Sequence, residues 1–209
     1  MAIKQWFSLK TVQQSVILLT VLIISFGCSG GDEVADNKSY SGTDRKLIEK
    51  LNTKNNKGKT IRFKDERIKV YLNTPNWTGK AKEEIRAWTK NTDGLLQFEF
   101  VSSSPSVGIE VNPIIHFPFV CGSASPNFNN GEIKKVSILM DPKTWTSICS
   151  KTLKHEIGHA IGILAHTDDG GLMDPEGGNG KITDQVARIV KTIYSYPADT
   201  PIEELEIIE

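Results

Sequence analysis

His155-Glu156-Ile157-Gly158-His159-Ala160-Ile161-Gly162-Ile163-Leu164-Ala165-His166 packs three of the chain's four histidines into twelve residues. Leu153, Ile157, Ala160, Ile161 and Leu164 recur at helical spacing, which predicts a helix with one apolar stripe. Residues four apart share a helix face, so His155 and His159 stand one turn apart. Two imidazoles so placed can grip one zinc ion, at about 2.0–2.1 Å each. Glu156 lies about 100° round the helix from His155, beside such an ion rather than on it. That is the place for a base acting on water. Gly162 can take the left-handed conformation that ends a helix, after which the chain can turn back and offer His166. Three protein ligands leave a fourth position open, the pattern of a catalytic rather than a structural site. Asp168 and Asp169 are alternative third ligands, because carboxylate oxygen also binds zinc. The plain alternative for the whole motif is a pair of solvated helix histidines.

The segment resembles the metzincin metalloproteases, specifically their matrixin-like bacterial branch. That family carries H-E-x-x-H-x-x-G-x-x-H followed by a tight turn containing methionine, and Leu172-Met173-Asp174-Pro175 is similar to that turn. The resemblance implies that the Met173 thioether lies beneath the metal as a packing floor. Three residues separate Gly162 from His166 where the basic pattern has two; bacterial sequences of the form G-L-L-G-H are similar. Asp174 stands where related enzymes often carry a tyrosine. The resemblance plausibly covers residues 61–196, with its specific motifs at 155–175.

Outward from the motif, the chain reads as alternating elements. Arg67–Leu72 and Leu96–Val101 alternate polar and apolar residues, as half-buried strands do, and 107–111 and 136–140 are further strands. Thr78 is placed to cap a helix with Ala81, Ile85 and Trp88 on one face, and Trp145 also reads as core. The stretch Ile114–Val120 is apolar but contains Pro118, which removes a ladder donor and predicts an edge strand. His116 within it reads as a structural or cleft-lining residue. Asp141-Pro142 can start a helical turn. Thr183 caps a last helix with Val186, Ile189, Val190, Ile193 and Tyr194 on one face. Strand, helix, strands, helix, helix point to an α/β (α+β) fold. With the resemblance, this becomes a mixed twisted sheet with an antiparallel edge strand, an active-site helix and a C-terminal helix.

Upstream lies a different composition. Lys4 and Lys10 precede the apolar run 16–26, whose eleven residues span about 16 Å as helix, short of the ~30 Å of hydrocarbon. This basic-then-apolar order reads as an export signal. Its end, Ile24-Ser25-Phe26-Gly27-Cys28, resembles a bacterial lipoprotein signal, which implies removal of residues 1–27 and lipid on Cys28. An uncleaved anchor, or an ordinary secretory signal with an incidental cysteine, are the alternatives. Ser29 after the cysteine, rather than Asp, favours the outer membrane or cell surface. Residues 28–60, rich in Gly, Ser, Asp, Asn and Lys, read as a flexible tether or short pro-segment, with a weak helical turn at Leu47, Ile48 and Leu51. Residues 61–196 form the expected catalytic domain, and 197–209 a loose acidic tail. An exported chain with two remaining cysteines, Cys121 and Cys149, invites a disulfide; two buried free thiols are the alternative.

The 209-residue chain has 25 basic and 25 acidic residues, so nothing in its charge favours nucleic acid as a partner. Loss of residues 1–27 removes two lysines and no acid, leaving 23 basic and 25 acidic residues. The resemblance implies a zinc endopeptidase whose substrate lies extended along the edge strand near Ile114–Val120. The loop 174–181 would wall the pocket past the cleaved bond. Oxygens in the segment 127–132 could bind calcium as matrixin loops do, although their spacing matches no calcium motif and a plain loop explains them better. Two other readings stand beside the enzyme. One is a surface-anchored binding protein on an inactive metalloprotease scaffold. The other is a protease restrained by its own N-terminal segment, through Asp32, Glu33 or Asp36, since residues 29–60 contain no cysteine for a thiol latch.

Overall fold

The computed structural model describes residues 37–73, 78–113, 121–141 and 149–208. The signal segment, Cys28, Asp32, Glu33 and Asp36, the stretch Ile114–Val120 with His116, and Trp145 lie outside the described residues. Among the described residues no helix is long and apolar enough to cross a membrane.

The architecture is mixed α/β. In chain order it comprises α1 (Asn37–Leu51), β1 (Arg62–Phe63), β2 (Arg67–Leu72), α2 (Thr78–Asn91), β3 (Gln97–Val101), β4 (Gly108–Pro113), β5 (Gly122–Asn129), β6 (Glu132–Met140), α3 (Thr152–Ala160) and α4 (Asp184–Tyr194). The sheet runs β3-β2-β4-β6-β5, with β1 beside the start of β6. β1, β2, β3, β4 and β6 pair in parallel, and β5 runs antiparallel along β6. Val70 in β2, Ile109 and Val111 in β4, and Val136 and Ile138 in β6 are fully buried at alternate positions, the period of two expected where one face of the sheet meets the core. Ala81, Ile85 and Trp88 on α2 and Leu153, Ile157 and Ala160 on α3 bury the two helix stripes in the same core. Trp88 Nε1 donates to Lys154 O at 2.8 Å and fastens α2 to α3.

One strand is an addition to the sequence reading, and two expectations are corrected. The described antiparallel edge strand is β5, Gly122–Asn129. Ser123, Ser125, Asn127 and Asn129 alternate with Ala124, Pro126 and Phe128, a period-two pattern weakened by small residues and by a proline. The turn into β6 is Asn130-Gly131, both left-handed at φ 48° and 70°, the two-residue hairpin chemistry of Asn-Gly. The candidate calcium segment is therefore largely hairpin, and Glu132 within it pairs with Lys134 at 2.7 Å.

The supposed tether is structured from Asn37 onward. Ile48 and Leu51 on α1 are fully buried, and Asp44, almost fully buried, accepts from Arg188 Nε at 2.7 Å and Gln185 Nε2 at 2.9 Å on α4. The polar composition masked a helix with only a narrow apolar stripe. The acidic tail is docked as well. Leu205 is buried, and Arg45 on α1 donates to Ile202 O and Leu205 O at 2.9 and 2.8 Å. Thr60 N donates to Thr200 O, and Asp199 N to Thr60 O, each at 2.9 Å. The glutamates face water while one leucine and the backbone hold the segment.

Candidate metal centre

α3 carries the first two histidines. Its apolar face turns into the core, which brings His155, His159 and Glu156 to the opposite, cleft-facing side. His155 Nδ1 lies 2.6 Å from Leu172 O, and His159 Nδ1 lies 2.5 Å from Ile163 O. A carbonyl only accepts, so each Nδ1 carries the proton and donates, leaving Nε2 with a bare lone pair. The two Nε2 atoms then face each other at 3.0 Å. Two acceptors that close repel unless a proton or cation lies between them. Two nitrogens on a tetrahedral zinc with bonds of 2.0–2.1 Å stand about 3.4 Å apart, so the pair fits a metal. Burial drives His159 down to about 4, against the bond to Ile163 O, and His155 and His166 lower it further. Burial also lowers His155. Both rings are thus neutral, ligand-ready imidazoles at physiological pH.

His166 completes the group. Ring centroids stand 5.3 Å from His155 and 5.0 Å from His159, and one ligand atom from each of the three lies within 4.8 Å of the others. The helix ends at Ala160, and Gly162 turns the chain at φ 112°. An added Cβ there would stand 2.5 Å from Ile61 O, so only glycine fits. Beyond His166 the loop is knitted by its own side chains. Thr167 Oγ1 lies 2.8 Å from Asp169 Oδ1 and 2.9 Å from Asp174 Oδ1, so its single hydrogen is shared between the two carboxylates. Asp169 also accepts from Gly171 N at 3.0 Å and from Thr183 Oγ1 at 2.6 Å. Asp169 is thereby spent on the loop, and neither it nor Asp168 belongs to the three-residue group. The three histidines together could hold a metal ion. Met173 is fully buried, and its sulfur packs so close to Gly158 of α3 that an added Cβ would stand 2.4 Å from it. The methionine therefore supports the histidine helix from beneath.

Glu156 lies beside this group and is 7% exposed. Burial pushes its carboxyl up to about 7, against a hydrogen bond from the Ala124 N–H of β5. A cleft of about 740 Å³ opens over these residues. Gly122–Ala124 of β5 form one side, Lys151 and Thr152 at the start of α3 one end, and Pro175–Gly177 the opposite wall. Cys121 and Cys149 are joined by a disulfide with Cα atoms 5.6 Å apart, tying the start of β5 to the approach to α3. Among the described residues lining the cleft, none comes from 37–60. Sequence reasoning missed β5 as the strand beside the histidines; Asn130-Gly131, with the polar–apolar alternation from Ser123 to Asn129 before it, was the signal that could have found it.

No family model and no curated protein matches the chain. Among solved structures similar to it is high choriolytic enzyme 1, a hatching-enzyme zinc protease from Oryzias latipes (medaka fish). The two are 16% identical with a TM-score of 0.31, over 48% of this chain and 44% of that one. The chain thus matches less than half the length of that enzyme. A superposition at this level says nothing of activity or substrate.

Proposed function

We propose that the protein is a zinc-dependent endopeptidase of the matrixin-like metzincin kind. The observation that carries this is the convergence of two bare Nε2 lone pairs and a third histidine on one point, with Glu156 beside it in an open cleft. His155, His159 and His166 would hold the ion. A zinc ion bound there supplies a Lewis acid that polarises a carbonyl and lowers the pKa of bound water to about 7. Glu156 is the general base. A cation nearby favours its carboxylate form, ready to accept a proton from the attacking water and return it to the leaving amine. Glu156 also accepts from Ala124 N–H. Gly122–Ala124 line the cleft on a strand paired on one side only among the described residues, which supports a substrate lying extended beside them and pairing its backbone with the strand. Pro175–Gly177 would bound the pocket past the cleaved bond, where the short Gly-rich loop offers few side chains for selectivity.

The decisive experiment loads the purified protein with zinc and digests a diverse peptide library. Cleavage that phenanthroline abolishes and zinc restores is the expected result. Stoichiometric zinc without any cleavage would instead assign a binding protein on an inactive scaffold. The Gly27-Cys28 signal supports export and a lipid anchor at the outer membrane or cell surface. Intact-mass analysis of membrane-extracted protein should find diacylglyceryl on Cys28, and an unmodified N-terminus elsewhere would overturn that part.

A further inference from the structure

We propose that Asn52, at the end of α1, is a positioning residue for the metal centre. The inference rests on the metal-site reading above. Asn52 is 1% exposed. Its Nδ2 donates to Gly162 O at 2.8 Å and to Ile61 O at 2.7 Å, and its Oδ1 accepts from Ile61 N at 2.9 Å. Both amide hydrogens therefore go to backbone carbonyls, and one reaches across 110 positions to the turn that ends the histidine helix. The neighbouring residue anchors the same turn from a second point, since Leu164 N donates to Leu51 O at 2.6 Å.

These two bonds bracket Ile163. Its carbonyl is the acceptor that orients His159 through Nδ1 and selects the tautomer with Nε2 free. The chain leaving Leu164 reaches His166 two residues later. The Leu51 carbonyl holds the Ile163–Leu164 peptide plane that aims one histidine, and the Asn52 carboxamide holds the plane just before it, so the end of α1 sets both that plane's position and the starting direction of the loop that delivers another. Gly162 turns the backbone at φ 112°, and Asn52 is the side chain that ties this turn to α1. The last carbonyls of α3 hold the N–H side of this turn, since Gly162 N donates to His159 O at 3.2 Å and Ile163 N to Gly158 O at 3.0 Å, and Asn52 holds its carbonyl side and ties it to α1.

The test compares Asn52→Ala with Asp44→Ala. Asp44 lies on the same helix and anchors it to α4, away from the cleft, so its loss reports the general effect of loosening α1. Zinc affinity is measured by chelator competition, and ligand geometry by the visible absorption of the cobalt(II)-substituted protein. Asn52→Ala should weaken zinc binding about 10–100-fold, the scale of lost outer-shell partners, and alter the cobalt spectrum. Asp44→Ala should keep zinc affinity within about threefold and leave the spectrum unchanged, whatever it does to melting temperature. Asn52→Asp is nearly isosteric, keeps the acceptor for Ile61 N–H and loses the donor to Gly162 O, so it should behave like Asn52→Ala. Equal zinc affinity and superimposable spectra for Asn52→Ala and Asp44→Ala would overturn the proposal. So would failure of both Asn52 variants to fold with zinc present, which would mark the residue as purely structural. Wild-type protein that takes up no metal would sink the metal-site reading itself, a distinct outcome.

Discussion

The three candidate ligands are delivered by two unlike pieces of chain. α3 presents His155 and His159 by its own repeat: four residues make one turn, and the apolar face in the core fixes the rotation. The loop 162–174 has no repeat. It is held by a buried asparagine and a backbone bond from α1 at one end and by Thr167, Asp169 and Asp174 at the other. The backbone of the helix half is therefore placed by its own element, and only its two rings take their orientation from loop carbonyls, Leu172 O and Ile163 O. The loop half depends on groups that share no local sequence rule with the histidine they support. Outer contacts matter more where no regular secondary structure does the positioning.

The sharpest way to use this contrast is to remove a helix residue that is not a ligand. Glu156→Ala should lower turnover about 10²–10⁴-fold while zinc content, measured by metal analysis, stays stoichiometric. Substrate affinity should change little, so the loss should appear in kcat. A variant as active as wild type would break the assignment of Glu156 as base.

The next effect tests the loop. His166→Ala should weaken zinc binding by more than the ~100-fold upper range of an outer-shell partner, and Asp168→Ala should barely alter it. The reverse ranking in chelator competition would transfer the third ligand to an aspartate.

A smaller effect probes the knitting of the loop. Asp169→Ala removes acceptors from Thr167, Gly171 and Thr183 together, so zinc affinity should fall about 10-fold, within the outer-shell range. On the helix side, Lys154→Ala, which removes an ion pair with Glu84 rather than a contact to the histidines, should leave affinity unchanged. Equal losses at the two positions would erase the distinction between the halves.

The smallest effect on the site belongs to the disulfide. Reducing Cys121–Cys149 should lower unfolding stability by about 3–4 kcal/mol in the loop-entropy picture while zinc affinity holds, because both histidine carriers keep their own supports. Denaturant titration with and without reductant, paired with metal binding, measures both quantities. A loss of metal on reduction would show that the cleft rim also positions ligands.

The sequence by itself determined the elements with a period. The strands at 67–72 and 97–101, the α2 face of Ala81, Ile85 and Trp88, the α4 face from Val186 to Tyr194 and the histidine pair were all legible, because each follows a local repeat of two or of 3.6 residues. It also pointed to Gly162 and Cys121–Cys149, where one residue type has few structural uses. Only the tertiary structure decided the rest. β5 is a strand because β6 offers it an edge, not because its serines and asparagines favour one. α1 and the acidic tail are ordered because Asp44, Arg45, Ile48, Leu51 and Leu205 find partners more than a hundred positions away or in the shared core. Asn52 acquired its place at the metal centre in the same way. A polar residue in a polar stretch carries no pattern, and its role is set by which carbonyls the fold brings within 3 Å.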